Sequence, residues 1–405
     1  MNILYYVPYS PNLVRVRPYN LIRALLHRGH SVTLASLVTH PADHEDLQKL
    51  ASEGARVVFS PMSKWQSLIN CVLYLPSRYP LQAVYSWNAS LVRQLKTLIA
   101  EDHFDVIHVE HLRGARVGIA LRNGTTLPVV WDSVDNISHL FRQARKKAVK
   151  ASSRLITSVE LFRTPAYERW LCEQFDHTLV TSPIDRQAFL NLKPKFPERI
   201  SVLPNGVDLD FFTPGAPEQR HQEEIVVSGK MSYHANISMV IHLVQDIMPL
   251  VWNERPKVKL IIAGKDPPQT IKSFAQDPRI TVTGEVPDIR LYLQHATVAV
   301  APITYGAGIQ NKVLEAMACA TPVVASPQAV QALNSVDGKD LLVAESPQSF
   351  AEKILLLLNN PLVREEIGQC GRRYIEQYHS WNAVAQNLEE VYEKVIENQP
   401  QSHRR

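Results

Sequence analysis

The chain has 405 residues, 45% of them apolar and 20% charged, with 43 Lys and Arg against 39 Asp and Glu. At roughly 150 residues per domain, that length implies two or three cores, and the small basic excess makes no case for nucleic acid as a partner. Cys71, Cys172, Cys319 and Cys370 show no paired spacing, which argues against a zinc site or a disulfide framework and suits a reducing cytoplasm.

Ile3–Val7 is a short apolar run that reads as a strand, and no charged leader precedes it. Because no apolar run approaches ~20 residues, neither a signal peptide nor a membrane span is expected. After Pro8 and Pro11, Leu21, Ile22, Leu25 and Leu26 share one face of a helix that stops at Gly29. Ser31–Leu37, Asp105–Val109 and Leu127–Trp131 continue the strands, and the first block closes around Val180–Ser182 and Ile200–Leu203. A second block restarts at Ile225–Val227 and runs through 258–263, 280–283, 298–301, 323–325 and 341–343. Alternating strands and helices predict parallel βαβ units, hence two doubly wound sheets. Between the blocks, Pro204–Asp208 and Pro214–Pro217 are turn-forming and polar. The expected division is a first domain over 1–203, a linker over 204–217, a second domain over 218–380, a last helix over 381–397 and a disordered tail over 398–405.

One stretch concentrates the chemistry. Gly306-Ala-Gly308-Ile309-Gln310-Asn311-Lys312 joins a strand exit to a helix carrying Glu315 about one turn in. Gly306 and Gly308 let backbone amides approach an anion, and the helix start offers orphan N–H groups with a positive dipole end. A pyrophosphate fits that description, with Glu315 an acceptor for a ribose diol. Lys312 could add charge there or simply meet solvent. Elsewhere, Asp132, Asp135 and Asn136 follow a strand and suit either a ligand site or a helix N-cap. Glu110 and His111 stand at another strand exit, as site or as plain loop residues. Arg142, Arg145, Lys146, Lys147, Lys150 and Arg154 form a basic cluster, which is a solvated face or a contact for an anionic membrane. No Asp-x-Asp or His cluster of metal-ligand spacing stands out, so no metal or other cofactor is expected.

In their order, Val202–Pro214, Val227-Ser-Gly-Lys-Met231, Ile262-Ala-Gly264, Val282-Thr-Gly-Glu-Val286 and Leu314-Glu-Ala-Met317 resemble the retaining glycosyltransferases of family 4. The Gly-x-Gly-Ile-x-x-Lys variant before Leu314 is similar to that of exopolysaccharide-associated sugar transferases. The resemblance implies a GT-B architecture, two Rossmann-like domains facing a central cleft, with a nucleotide sugar held mainly by the second and the last helix crossing back to the first. It implies phosphate contacts at Gly229 and Lys230, and donor contacts at Val286, Gly306, Gly308, Ile309, Gln310, Asn311, Lys312 and Glu315. Lys230, Asp132 and Asp135 are then the expected catalytic residues, with Glu110 and His111 on the side of a glycan or lipid-linked acceptor. Two departures stand against the pattern. Ala235 and Asn236 replace a second phosphate lysine, and Ala307 replaces the first of the family's paired acids. A degenerate donor-binding or scaffold protein and a nucleotide-sugar epimerase therefore stay open beside a transferase.

Overall fold

The computed structural model describes residues 1–12, 15–147, 151–305 and 309–399; for 143–147, 151–157 and 217 it describes the backbone alone. The chain divides into two units, Met1–Asn205 with Val384–Arg405, and Gly206–Ala383.

In the first unit, β1 (Asn2–Val7), β2 (Ser31–Val38), β3 (Arg56–Pro61), β4 (Val106–Glu110), β5 (Val129–Val134), β6 (His177–Val180) and β7 (Ile200–Val202) form a sheet of order β3-β2-β1-β4-β5-β6-β7. All its pairings are parallel. Helices cover such a sheet on both faces, which is why β1 reads as a continuous apolar run from Ile3 to Val7. β3 went unforeseen because it is an edge strand with mixed exposure, and its Arg56, Phe59 and Pro61 face solvent.

The second unit contains β8 (Glu224–Ser228), β9 (Lys259–Ala263), β10 (Ile280–Gly284), β11 (Val298–Ala301), β12 (Val323–Ala325) and β13 (Leu342–Val343), in the order β10-β9-β8-β11-β12-β13. These strands are also parallel. Each unit is thus a Rossmann-like sheet whose strand order reverses once, between β1 and β4 in the first and between β8 and β11 in the second. Ligands of open α/β sheets bind beyond the carboxyl ends of the strands at such reversals.

Two expectations need adjustment. Most of the stretch 204–217 belongs to the second unit. Val207 is buried and its N–H donates to the His379 carbonyl at 2.7 Å, while Leu209 and Phe212 lie against the second core. Apolar side chains inside a polar stretch drew it in. The last helix, Trp381–Glu397, does follow expectation, joining the first unit from Val384 onward. There Tyr392 Oη meets His108 Nδ1 at 2.8 Å, and Glu389 pairs with Arg28 at 2.5 Å and His30 at 2.6 Å. Finally, His234–Glu254 is helical throughout and apolar enough, by length and composition, to cross a membrane, contrary to expectation. Its Met239, Leu243, Ile247 and Val251 are buried in the second core, which accounts for that composition.

Candidate active site

At the reversal of the second sheet, β8 is followed at once by Gly229 with φ +145° and β9 by Gly264 with φ +147°. The two backbones nearly touch. A Cβ added to Gly264 would stand 1.8 Å from the Gly229 carbonyl oxygen, so only glycine permits this approach. Lys230 follows and is exposed. Its carbonyl accepts a 2.8 Å hydrogen bond from Nδ2 of the buried Asn236. Asn236, a departure from the family pattern, therefore fixes the loop that presents Lys230.

The helix Asn311–Ala318 enters from the β11 side, and its N-cap residue Gln310 makes no side-chain cap. Lys312 reaches across to β8, its Cε 3.2 Å from where a Gly229 Cβ would be, and its Nζ donates to Gln310 Oε1 at 3.2 Å. Burial lowers the Lys312 ammonium to about 8, against the opposing pull of Glu315. Burial likewise raises the Glu315 carboxyl to about 7, with Lys312 lowering it. Neither group is the freely solvated side chain of an ordinary helix start. Val286 is half-buried two residues beyond Gly284, and Ile309 lies against the core. Asn311 is exposed at the helix start. Gly306 and Gly308 lie outside the described residues.

At the reversal of the first sheet, side chains fill the space instead. Glu110 ends β4 fully buried, accepting from Tyr9 Oη at 2.7 Å and Tyr5 Oη at 3.3 Å. Burial and the neighbouring Asp132 push its carboxyl well up. His111 takes φ +64° and starts the next helix, and burial with Arg113 lowers its imidazole to about 4. Asp132 is wholly buried and accepts from Arg17 Nη2 at 2.7 Å, Arg17 Nε at 3.0 Å and the Val134 amide at 3.0 Å.

The matches to known families come in two pieces that together span most of the chain. A family described as Glycosyltransferase Family 4 matches residues 14–211, and one described as Glycosyl transferases group 1 matches 222–360. The chain belongs to glycosyltransferase family 4. Among its relatives, the MMP alpha-(1->4)-mannosyltransferase of Mycolicibacterium hassiacum is 26% identical over 72% of this chain and 71% of its own. A glycosyltransferase from Rickettsia africae aligns at TM-score 0.69 and 15% identity over 98% of this chain and 99% of its own. Anabaena HepE, solved in complex with UDP, aligns at 0.68 and 14% over 97% and 100%.

Within this glycosyltransferase, the structure gathers Gly229, Lys312 and Glu315 around one strand reversal, with Lys230 on the adjoining loop. It treats the first unit's candidates differently. Asp132 is a positioning residue, since its carboxylate is committed to Arg17 and has no exposed surface. Arg17, which the sequence reading missed, also donates to the Leu203 carbonyl at 3.0 Å, the Pro204 carbonyl at 3.2 Å and Asn205 Oδ1 at 2.9 Å. It thereby ties β5 to the end of the first unit's main segment. Asn136 is an N-cap, its Oδ1 accepting from the His139 amide at 2.8 Å. Glu110 is not a loop residue but the buried end of a strand. Asp135 alone of these acids is half-buried, its carboxyl raised to about 6 by burial and by Asp185. Of the basic cluster, Arg142 is exposed, whereas Lys150 and the side chains of Arg145, Lys146 and Lys147 fall outside the description.

Proposed function

We propose that this glycosyltransferase moves a sugar from a nucleoside diphosphate sugar to a glycan or lipid-linked acceptor with retention of configuration, in cell-surface polysaccharide or glycoconjugate synthesis at the cytoplasmic face of a membrane. The observation that carries this reading is the juxtaposition of Gly229, Lys312 and Glu315 at the strand reversal of the second sheet. The donor pyrophosphate sits over Gly229, against Lys230, Lys312 and the amides that open the helix Asn311–Ala318, where fixed cations and dipoles stabilise an anion without reorganising. Glu315 accepts from the ribose hydroxyls, and the nucleobase lies by Val286. HepE, which shares the fold, has been solved with UDP-glucose, and a relative from Corynebacterium glutamicum is named as GDP-mannose-dependent; both supply donor types to try.

Transfer proceeds on one face of the sugar. The anomeric C–O bond to the β-phosphate breaks, the acceptor oxygen bonds to the same face, and the departing phosphate oxygen takes the acceptor's proton. No protein nucleophile or divalent ion enters, because Lys230 and Lys312 meet the charge that grows on the leaving group. Asp135 is the first unit's proposed contact for an acceptor hydroxyl. A thermal-shift screen of UDP-, GDP- and ADP-sugars identifies the donor, since a ligand that binds the folded state raises its apparent stability. Product NMR then reads the anomeric configuration. Stabilisation by no member of the panel, inversion of the anomeric centre, or isomerisation of the donor without acceptor would each overturn the proposal.

A further inference from the structure

The helix Lys64–Leu73 turns its polar side inward. Ser67 and Asn70 are its buried residues, and Asn70 Nδ2 donates to the Trp87 carbonyl at 2.9 Å. Its outward side carries Trp65, Leu68, Ile69, Val72 and Leu73, exposed from 52% at Leu68 to 75% at Trp65. An ordinary surface helix buries such a stripe and shows its polar side to water. The apolar surface extends past the helix to the exposed Leu75 and to Phe162, which is 85% exposed. Two hydrogen bonds hold the turn around Phe162 to this region: Arg163 Nη2 donates to the Leu75 carbonyl at 2.6 Å, and the Leu81 amide donates to Glu160 Oε1 at 3.0 Å.

Charge selects the partner. From Gly54 to Ala100 the chain holds no Asp or Glu, but it has Arg56, Lys64, Arg78, Arg93 and Lys96. A second acid-free run, from Asn136 to Val159, carries the basic cluster and leads directly into the turn with Phe162. Lys64 and Arg78 flank the stripe and are exposed. Against a second copy of this chain, such a surface would face cations with cations, which is repulsive. An anionic bilayer complements it, the tryptophan and aliphatic groups entering the acyl boundary while the cations meet acidic head groups. At the inner edge of the helix lies a cavity of about 180 Å³ lined by Arg15, Lys64, Ser67 and Arg113, with no acid among its lining residues.

We propose that the Lys64–Leu75 surface, with Phe162, inserts into the interface of an anionic bilayer and so brings this cavity to the level of the lipid head groups. The proposal deepens the lipid-linked arm of the reading above, and docking itself needs no turnover. In the test, the full chain is floated with vesicles of phosphatidylcholine, alone or mixed with phosphatidylglycerol, some carrying lipids brominated along the acyl chain. Flotation with the anionic vesicles is expected. Of the chain's six tryptophans, Trp65 should be quenched by the bromines, so that Trp65→Phe floats normally but loses that quenching. The combined variant Trp65→Gln, Leu68→Gln, Val72→Gln should bind anionic vesicles about tenfold or more weakly, with an unchanged melting temperature because all three positions are exposed. The proposal is overturned if the wild type does not float, if the combined variant floats as well as wild type with Trp65 unquenched, or if the variant instead converts a wild-type dimer to a monomer. A chain that docks in this way but transfers no sugar would sink the reading of the previous subsection and leave this one standing.

Discussion

The two sheets reverse strand order at equivalent places and fill those places in opposite ways. Between β1 and β4, the first unit supplies its own occupants. Glu110 receives Tyr5 and Tyr9, Arg17 grips Asp132, and His108 stacks on Tyr5 with ring centroids 4.1 Å apart. Between β8 and β11, the second unit strips side chains away at Gly229 and Gly264 and leaves cations beside the gap. One topology therefore yields a web of paired side chains in one unit and, in the other, a close backbone approach flanked by lysines, which is the proposed cradle for an anion. The difference lies in whether the residues after each strand have Cβ atoms and partners.

The largest expected effect tests the first half of that contrast. Arg17→Met leaves Asp132 buried without its cation, and breaking a buried pair from one side costs about 3–5 kcal/mol. Urea denaturation reads the loss, and adding Asp132→Asn to the same chain should restore part of it. A loss below about 1 kcal/mol would show that the web does not hold the first unit together.

Lys230→Ala should fold normally, since the side chain is exposed, yet lower turnover by about 10²–10³, as removal of one preorganised contact to a developing anion does. Turnover in EDTA should match that in buffer. If EDTA abolishes the reaction and Mg²⁺ or Mn²⁺ restores it, the charge at the cradle is met by a metal and the proposed role of the lysines is wrong. Full activity of Lys230→Ala with EDTA resistance would transfer the role to Lys312.

A smaller effect belongs to Glu315. Its replacement by Ala removes hydrogen bonds to a charged group, worth about 1.5–3 kcal/mol, or roughly 10- to 150-fold in nucleotide affinity. Calorimetric titration with the nucleotide of the stabilising donor measures it; equal affinity in the variant would make Glu315 a purely structural residue.

The subtlest test is of pH. The folded chain holds the Glu315 carboxyl at about 7, above its ordinary 4.5, so between those values the folded state keeps a proton that the unfolded state has released. Stability relative to Glu315→Gln should therefore be greatest below pH 4.5 and decline as the pH rises through about 7. Melting curves of both proteins across that window give the difference directly. Parallel curves would mean that the cradle does not bury this carboxyl.

Most strands of both sheets were legible because a strand covered on both faces must be apolar along its whole length, as Ile3–Val7 and Val298–Ala301 are. The edge strand Arg56–Pro61 escaped because half its residues face water and its spacing resembles that of a loop. At the second reversal, Gly229, Lys230 and Lys312, the positions proposed to meet an anion, stood out because a close backbone approach demands glycine locally. The first reversal was misjudged at Asp132 for the opposite reason. Its partner Arg17 lies 115 residues away in sequence, and no local pattern states that a carboxylate after a strand is already claimed. The Lys64–Leu73 helix carries a helical stripe that the sequence displays plainly, but only burial reveals which side of it faces the core.

The bonds of Tyr392 to His108 and of Glu389 to Arg28 have a bearing on biosynthesis. Because the segment from Val384 completes the first unit, the second unit is in effect an insertion between Asn205 and Val384. A ribosome releases all of the inserted unit before it releases the segment that closes its host. The second unit is thus complete in the growing chain before the first, which waits with His108 and Arg28 unmet until the segment from Val384 has been made. A prematurely terminated chain that lacks the segment from Val384 would then carry the second unit, with its proposed donor cradle, on an unfinished first unit.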